Sequence, residues 1–232
     1  NAYLPAVYQG TLLRRGANPL LHLKPPADIT PSRQRATIEF IKQMNEKDLD
    51  PSRTDLAARI ASYELAFRMQ SHAPEAVDLS KESERTKNNY GLNDKKTSDF
   101  GTRCLIARRL TERGVRFVQV ISGSGDSKDW DHHDDAYEGT LRQARKVDQP
   151  IAALLQDLAA RGQLEETLVV WSGEFGRTPT SQGGKGRDHN PNGFTLWMAG
   201  GGIKGGKIIG ATDELGLRAV ADKVHVNDAH AT

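Results

Sequence analysis

Cysteine is almost absent from this chain. The single thiol, Cys104, cannot close an intrachain disulfide. It does not fix a compartment either, because many exported bacterial proteins also lack disulfides. Long apolar runs are missing: nothing approaches the roughly 18 consecutive apolar residues that a membrane-spanning helix needs. An excess of one charge is missing as well. Lys and Arg number 32 against 30 Asp and Glu, for a net charge of +2, so no broad basic face is implied and nucleic-acid binding is not expected. The local cluster Arg108, Arg109 and Arg113 reads as the wet side of a helix. Three common signatures do not occur: the Gly-x-x-x-x-Gly-Lys-Ser/Thr phosphate loop, the Gly-x-Ser-x-Gly nucleophile elbow and the Cys-x-x-Cys pair. There is no signal peptide and no initiating Met, and the chain stops at Ala231-Thr232 in what reads as the opening of a helix. Both ends are therefore read as cut.

What is present suits a folded domain. The 232 residues are 37% hydrophobic and 27% charged, which is ordinary for a globular chain with a core. The length fits one α/β domain. Pro5, Gly10, Gly16, Pro19 and Pro25-Pro26 punctuate an extended first segment, anchored by Tyr3, Leu4, Val7 and Tyr8. Thr30-Pro31-Ser32 opens a helix to about Asn45, with Ile38, Ile41 and Met44 on one face. A second helix starts near Pro51-Ser52, carries Leu56, Ile60, Tyr63 and Phe67 at helical spacing, and should end before Pro74. Residues 80–97 are polar, so a solvated loop or short exposed helix is expected. Ser98-Asp99 then caps a third helix with the stripe Phe100, Cys104, Ala107 and Leu110, closed by Gly114.

Strand signals begin at Val115. The run from Val115 to Ile121 is rich in β-branched and aromatic residues. A long helix over residues 136–162 follows, then the apolar run Thr167–Trp171, then Phe194–Ala199, with Lys207–Ile209 as a short edge strand. Helices alternating with buried strands predict an α/β domain with a mainly parallel sheet flanked by helices. One domain over 1–232 is expected, with a helical insertion at about 31–97. Ligands of such sheets sit beyond the carboxyl ends of the strands, which directs attention to the loops after residues 121, 171 and 199.

Two of those loops carry chemistry. The first holds Gly125, Asp126, Asp129, Trp130, Asp131, His132, His133, Asp134 and Asp135. Carboxylates and imidazoles at this density are ligands for a divalent cation. A solvated acidic loop would explain the Asp residues, but explains two adjacent His and a Trp less well. Asp131 and His133 point the same way if the stretch is extended. The second loop opens with Ser172-Gly173-Glu174-Phe175-Gly176-Arg177. Glu174 is placed as a ligand or base one step past a buried strand, and Arg177 can hold an oxyanion through its paired N–H groups. An ordinary Gly-rich turn with a Glu174–Arg177 ion pair is the competing reading. The same loop later presents Arg187-Asp188-His189, where a carboxylate next to an imidazole can orient its second nitrogen. The Gly-rich segment Gly200–Gly206 leads into no clear helix, so it reads as a mobile turn rather than a phosphate cradle. Asn227 or Asp228 is a candidate helix cap, with His230 structural, and His22, His72 and His225 read as surface or packing residues.

Several of these segments together resemble a bacterial family, domain of unknown function fifteen-oh-one. The resemblance is carried by Tyr3–Thr11, the run from Phe100 to Val118, Trp130-Asp131 with His133, Val170–Pro179, Gly186–His189, Ala199–Gly206 and the Asp228–Thr232 ending. That family is usually placed with the alkaline phosphatases and sulfatases, and its members are often exported. The resemblance implies an incomplete alkaline phosphatase-like fold, an exported or periplasmic protein, and metal-dependent hydrolysis of a small-molecule or polysaccharide phosphate or sulfate ester. The ion would be zinc, manganese or calcium. It implies Asp131, His133, Glu174, Asp188 and His189 as the metal-ligand set, with Arg177 steadying the oxyanion. Three departures stand out. Glu174-Phe175 replaces the Asp-His pair common in that superfamily, leaving the pattern one ligand short of a two-metal site. No Cys-x-Pro-x-Arg sulfatase motif occurs. The superfamily's nucleophile would lie upstream of Asn1. A non-catalytic, metal-containing binding module for anionic cell-surface polymers is the competing function, and a phosphosugar mutase of the same superfamily is a third.

Overall fold

The computed structural model describes residues 10–16, 19–20, 26–47, 54–123, 129–181 and 183–232. The anchors Tyr3, Leu4, Val7 and Tyr8 lie outside these, as do His22, Gly125 and Asp126. The chain divides into two compact units, residues 1–81 and 82–232, so the division falls inside the stretch expected to be a helical insertion. The first unit is built on α1 (Pro31–Lys47) and α2 (Thr54–Val77), which pack on one another. The guanidinium of Arg35 sits 5.3 Å from the centre of the Phe67 ring. Helix α2 does not stop before Pro74 but runs through it to Val77. A proline this close to a helix end removes only one backbone hydrogen bond, and the Pro74 carbonyl still accepts from the Asp78 N–H at 3.1 Å.

The second unit contains α3 (Glu84–Asn89), α4 (Ser98–Glu112), α5 (Ala136–Ala160), a single 3-10 turn at Leu164–Glu166, six short strands and α6 (Val226–Ala231). Its core lies where α4 meets α5. Phe100, Cys104, Leu105 and Ala107 from α4, with Val147, Ala153 and Leu158 from α5, are buried there. Helix α4 ends as its sequence suggests. Gly114 adopts φ of +80°, its N–H reaches the Thr111 carbonyl, and the Val115 N–H reaches the Leu110 carbonyl, the paired closure of a Schellman motif. Its start differs from expectation: Thr97, not Ser98, is the N-cap, and makes no side-chain cap bond. The buried Thr97 hydroxyl donates instead to the Gly91 carbonyl at 2.6 Å.

A charged cluster clamps these helices together. Arg108 is 2% exposed and its guanidinium lies 2.8 Å from Glu82, 2.6 Å from Glu112 and 3.1 Å from Asp157. Arg109 adds a second contact to Glu82, and Arg161 binds both Glu112 and Asp157. The buried Tyr90 hydroxyl donates to Asp157 at 3.1 Å. The expected wet side of α4 is therefore an interior ion cluster: Arg108 and Arg109 are buried because three carboxylates meet them there.

The mixed α/β class holds, but the mainly parallel sheet does not. The described strands form three two-stranded ladders, β1 (Val169–Trp171) with β4 (Trp197–Ala199), β2 (Gly176–Arg177) with β3 (His189–Asn190), and β5 (Ala211–Thr212) with β6 (Ala219–Ala221), all antiparallel. One parallel pairing occurs among the described residues, an isolated bridge between Asp135 and Lys185. The chain between β1 and β4 contains the β2–β3 hairpin and, among the described residues, no helix. Without a crossover helix, two neighbouring strands pair antiparallel. Val115–Ile121 forms no strand, and Phe117 stands 82% exposed. Its residues have the propensity, but a strand exists only when a partner takes up its backbone groups. Lys207–Ile209 is likewise unpaired. The first glycines of the Gly-rich turn are fixed rather than free: a Cβ on Gly200 would collide with the Leu164 and Thr167 carbonyls, and the Gly201 N–H donates to Leu164 at 2.8 Å.

Replacing Arg108 by Leu would leave Glu82, Glu112 and Asp157 without their shared cation. The expected loss is about 3–5 kcal/mol, read by urea unfolding; a loss within experimental error would show that the cluster does not hold α4 to α5. The cluster also sets a pH dependence. Burial alone would raise the Glu82 pKa, but hydrogen bonds from Arg109 and Arg108 and their charges hold it below the ordinary glutamate value. Its contribution is present above that ordinary value and is lost as pH falls through the lowered folded value. Acid unfolding should therefore shift to higher pH when Glu82 is retained but Arg108 is removed.

Candidate metal centre

Two loops meet to build the site. The first, residues 129–135, leads into α5 and is pinned along its length. The Trp130 indole N–H donates to the Ser122 hydroxyl at 3.0 Å, and buried Gln143 of α5 donates to Asp129 at 3.2 Å. Asp135 caps α5 by accepting from the Glu138 N–H. The His132 ring lies against the backbone of Gly139 in the first turn of α5, where a Cβ would collide with it.

The second loop, residues 183–188, zips onto the first through its backbone. Lys185 donates to the Asp134 carbonyl at 3.0 Å and accepts from the Ala136 N–H at 3.1 Å, and the Arg187 N–H reaches the His132 carbonyl at 3.0 Å. The approach is so close that a Cβ on Gly186 would overlap the His133 carbonyl. The β2–β3 hairpin carries this loop. Arg177 pairs with His189 in its register, and Thr178 and Asp188 exchange hydrogen bonds, Thr178 N–H to the Asp188 carbonyl at 2.9 Å and Asp188 N–H to the Thr178 hydroxyl at 3.1 Å. Buried Asn190 ties the hairpin to the turn between β5 and β6 by donating to the Gly216 and Leu217 carbonyls.

The result is a convergence on one atom, Oδ1 of Asp131. His133 Nε2 lies 3.0 Å from it, His189 Nε2 2.9 Å and Arg177 Nη1 2.5 Å. The two imidazole rings are 5.0 Å apart, and Phe175 packs on His189 at 4.4 Å. On its far side, His133 Nδ1 meets Asp188 Oδ1 at 3.1 Å. Asp131 is held to a pKa of about 2: the hydrogen bond with His189 lowers it most, burial opposes, and Arg177 and His133 lower it further. Behind the site, the His132 pKa is lowered by burial and by the charges of Arg142 and Arg177, and its Nε2 is buried without a partner among the described residues.

Asp131, His133 and His189 thus offer three donor atoms within 4.8 Å of one another, a nitrogen and oxygen set that suits a divalent transition ion. The fit has a specific sign. An ionised carboxylate only accepts, so a hydrogen bond from His133 to an ionised Asp188 needs a proton on Nδ1. In that neutral form His133 would turn a bare Nε2 lone pair toward the Asp131 oxygen, whereas the doubly protonated ring would donate to both carboxylates. Two lone pairs at that distance are stable with a cation between or beside them.

Of the expected ligands, the structure brings Asp131, His133 and His189 together. Asp188 stands behind His133, not beside His189 as their adjacency suggested, because neighbours along an extended chain face opposite ways. Glu174 is 68% exposed, 4.0 Å from Arg177 and outside the group of three. Arg177 is turned onto Asp131 and, at 3.4 Å, onto the Trp130 carbonyl. Sequence reasoning passed over Gly139, and met Gly186 only as the first residue of the Gly186–His189 motif, without the close backbone approach it permits. It also missed His225, which caps α6 reciprocally with Asp228. Among the described residues no helix is long and apolar enough to cross a membrane.

The arrangement defines a protein with a candidate divalent-metal centre in a mixed α/β unit. Over residues 1–232 the chain matches the family described as protein of unknown function (DUF1501), and it belongs to that family. No curated protein and no solved structure matches it.

Gly186→Ala should separate the two loops. The expected cost is about 1–3 kcal/mol, with a matching fall in thermal stability and weakened binding of zinc or manganese. A variant as stable as the parent, binding metal equally well, would show that the loops do not depend on this contact.

Proposed function

We propose that this chain carries the metal centre of a metal-dependent hydrolase acting on phosphate or sulfate esters, small or polysaccharide-borne, and that it works outside the cytoplasm. The observation that carries the reading is the facing pair of imidazole nitrogens on Asp131 Oδ1, one of them oriented from behind by Asp188. An alkaline phosphatase-like arrangement of the domain is part of the same proposal, and rests on the motifs shared with the family.

Asp131, His133 and His189 would hold a divalent ion (zinc, manganese or calcium), which supplies Lewis acidity at an ester oxygen. Asp188 would act as a positioning residue, keeping the His133 proton on Nδ1 so that Nε2 remains a donor. Arg177 places fixed positive charge where an ester oxyanion would sit, and its planar N–H groups match the oxygens of phosphate or sulfate. Glu174, exposed beside Arg177, is placed to accept a proton from water.

A second reading is a metal-containing binding module for anionic cell-surface polymers. It is favoured by one observation: among the described residues, no Ser or Thr hydroxyl is hydrogen-bonded to Asp131, His133 or His189.

Metal content of the purified chain by plasma mass spectrometry, beside the His133→Ala, His189→Ala double variant, tests the centre. A bound ion that disappears in the variant supports it; a blank in the parent after soaking in excess cation sinks it. Asp188→Ala is expected to bind metal about 10–100-fold more weakly at unchanged stoichiometry, whereas complete loss would make Asp188 a ligand. Turnover of aryl phosphates or sulfates separates hydrolase from binding module.

A further inference from the structure

Asp131, Asp188 and Glu174 each turn one carboxylate oxygen toward a cationic or imidazole group. Asp188 Oδ1 is turned onto His133 Nδ1 at 3.1 Å. Glu174 Oε1 faces Arg177 Nη2 at 4.0 Å. Asp131 Oδ1 itself is shared between the two imidazoles on one side and Arg177 Nη1 on the other. In a two-ion site, a carboxylate bridges cations about 3.5–4 Å apart, and further carboxylates serve the second ion. Here two oxygens that could serve a second ion, Oδ1 of Asp131 and Oε1 of Glu174, face a guanidinium. That guanidinium is fixed: Nη2 donates to the Trp130 carbonyl at 3.4 Å, and the group lies 5.6 Å from the centre of the Phe175 ring, within reach of a cation–π attraction.

We propose that the centre takes one divalent ion and that Arg177 occupies, as a permanent charge, the place of a second. This rests on the metal-centre reading given above. Among the described residues, one group of three facing donor atoms exists, which is a complete set for one ion with open positions for substrate. The guanidinium then does the electrostatic work of the second cation, neutralising charge on the ester oxygens. Unlike a second ion, it cannot be removed by chelation or deprotonated at working pH. It also sets a cost on the first ion, because it shares the ligand oxygen and repels a nearby cation.

The consequence is a split that a merely structural arginine would not produce. Removing Arg177 frees Asp131 for the ion, so metal should bind more tightly while hydrolysis falls. The experiment is titration of the metal-free full chain with zinc or manganese by calorimetry, with plasma mass spectrometry on the saturated protein, for the parent, Arg177→Gln and Arg177→Lys. The parent should bind one ion per chain. Arg177→Gln should bind it roughly tenfold more tightly, with turnover of an aryl phosphate or sulfate lowered about 100-fold if the parent is active. Arg177→Lys should keep parental affinity. Two ions in the parent would overturn the proposal and leave the metal centre intact. No ion in the parent would overturn both. Unchanged or weaker binding in Arg177→Gln would reduce Arg177 to a structural contact and overturn its role as the second charge.

Discussion

A single carboxylate oxygen, Oδ1 of Asp131, draws in two imidazoles and a guanidinium at 2.5–3.0 Å, and much of the second unit serves to keep them there. The groups come from the loop before α5 and from the β2–β3 hairpin, 46 to 58 positions apart in the chain. Neither loop could hold them alone, because a surface loop has few buried contacts and an entropy cost of ordering on the order of 1–2 kcal/mol per residue. The backbone hydrogen bonds among His132, Asp134, Ala136, Lys185 and Arg187 supply the missing order. Glycine at position 186 is the condition for those bonds, since any side chain would stand where the His133 carbonyl is.

Behind this junction lies a more rigid body. Helix α5 receives the first loop through the Asp135 cap and the His132–Gly139 contact, and is itself clamped to α4 by the Arg108 cluster. A buried ion cluster is weak evidence for net stability, but breaking it is costly. It joins α4 to the C-terminal end of α5, while the Asp135 cap and the His132–Gly139 contact tie the loop that carries Asp131 to the first turn of the same helix. The chemistry of the site and the packing of the core are linked through this one helix.

Much of the candidate site was legible before any coordinates. Asp131, His133 and His189 stand out because imidazoles next to carboxylates in Gly-punctuated loops have few purely structural uses. The long helices were legible for a different reason: 15–25 residues of periodic burial, as in α4 and α5, average out local noise. What failed was pairing. Val115–Ile121 has strand composition and forms no strand, and β1 and β4 are antiparallel where a parallel sheet was expected. Composition states that a segment prefers to be extended and is silent on which neighbour will accept its hydrogen bonds.

The division follows from the range of the forces involved. Local steric preference, capping and side-chain alternation act within a few residues, so the sequence alone determined the helices, the Schellman closure at Gly114 and the residue types of the candidate metal group. Contacts between residues 46 to 58 positions apart, Asp131 with Arg177 and with His189, and Asp188 with His133, depend on loop closure and backbone register. Those were decided only in the tertiary structure. Adjacency in the chain assigned Asp188 to His189; the fold turned it to His133, because along an extended backbone successive side chains point to opposite sides.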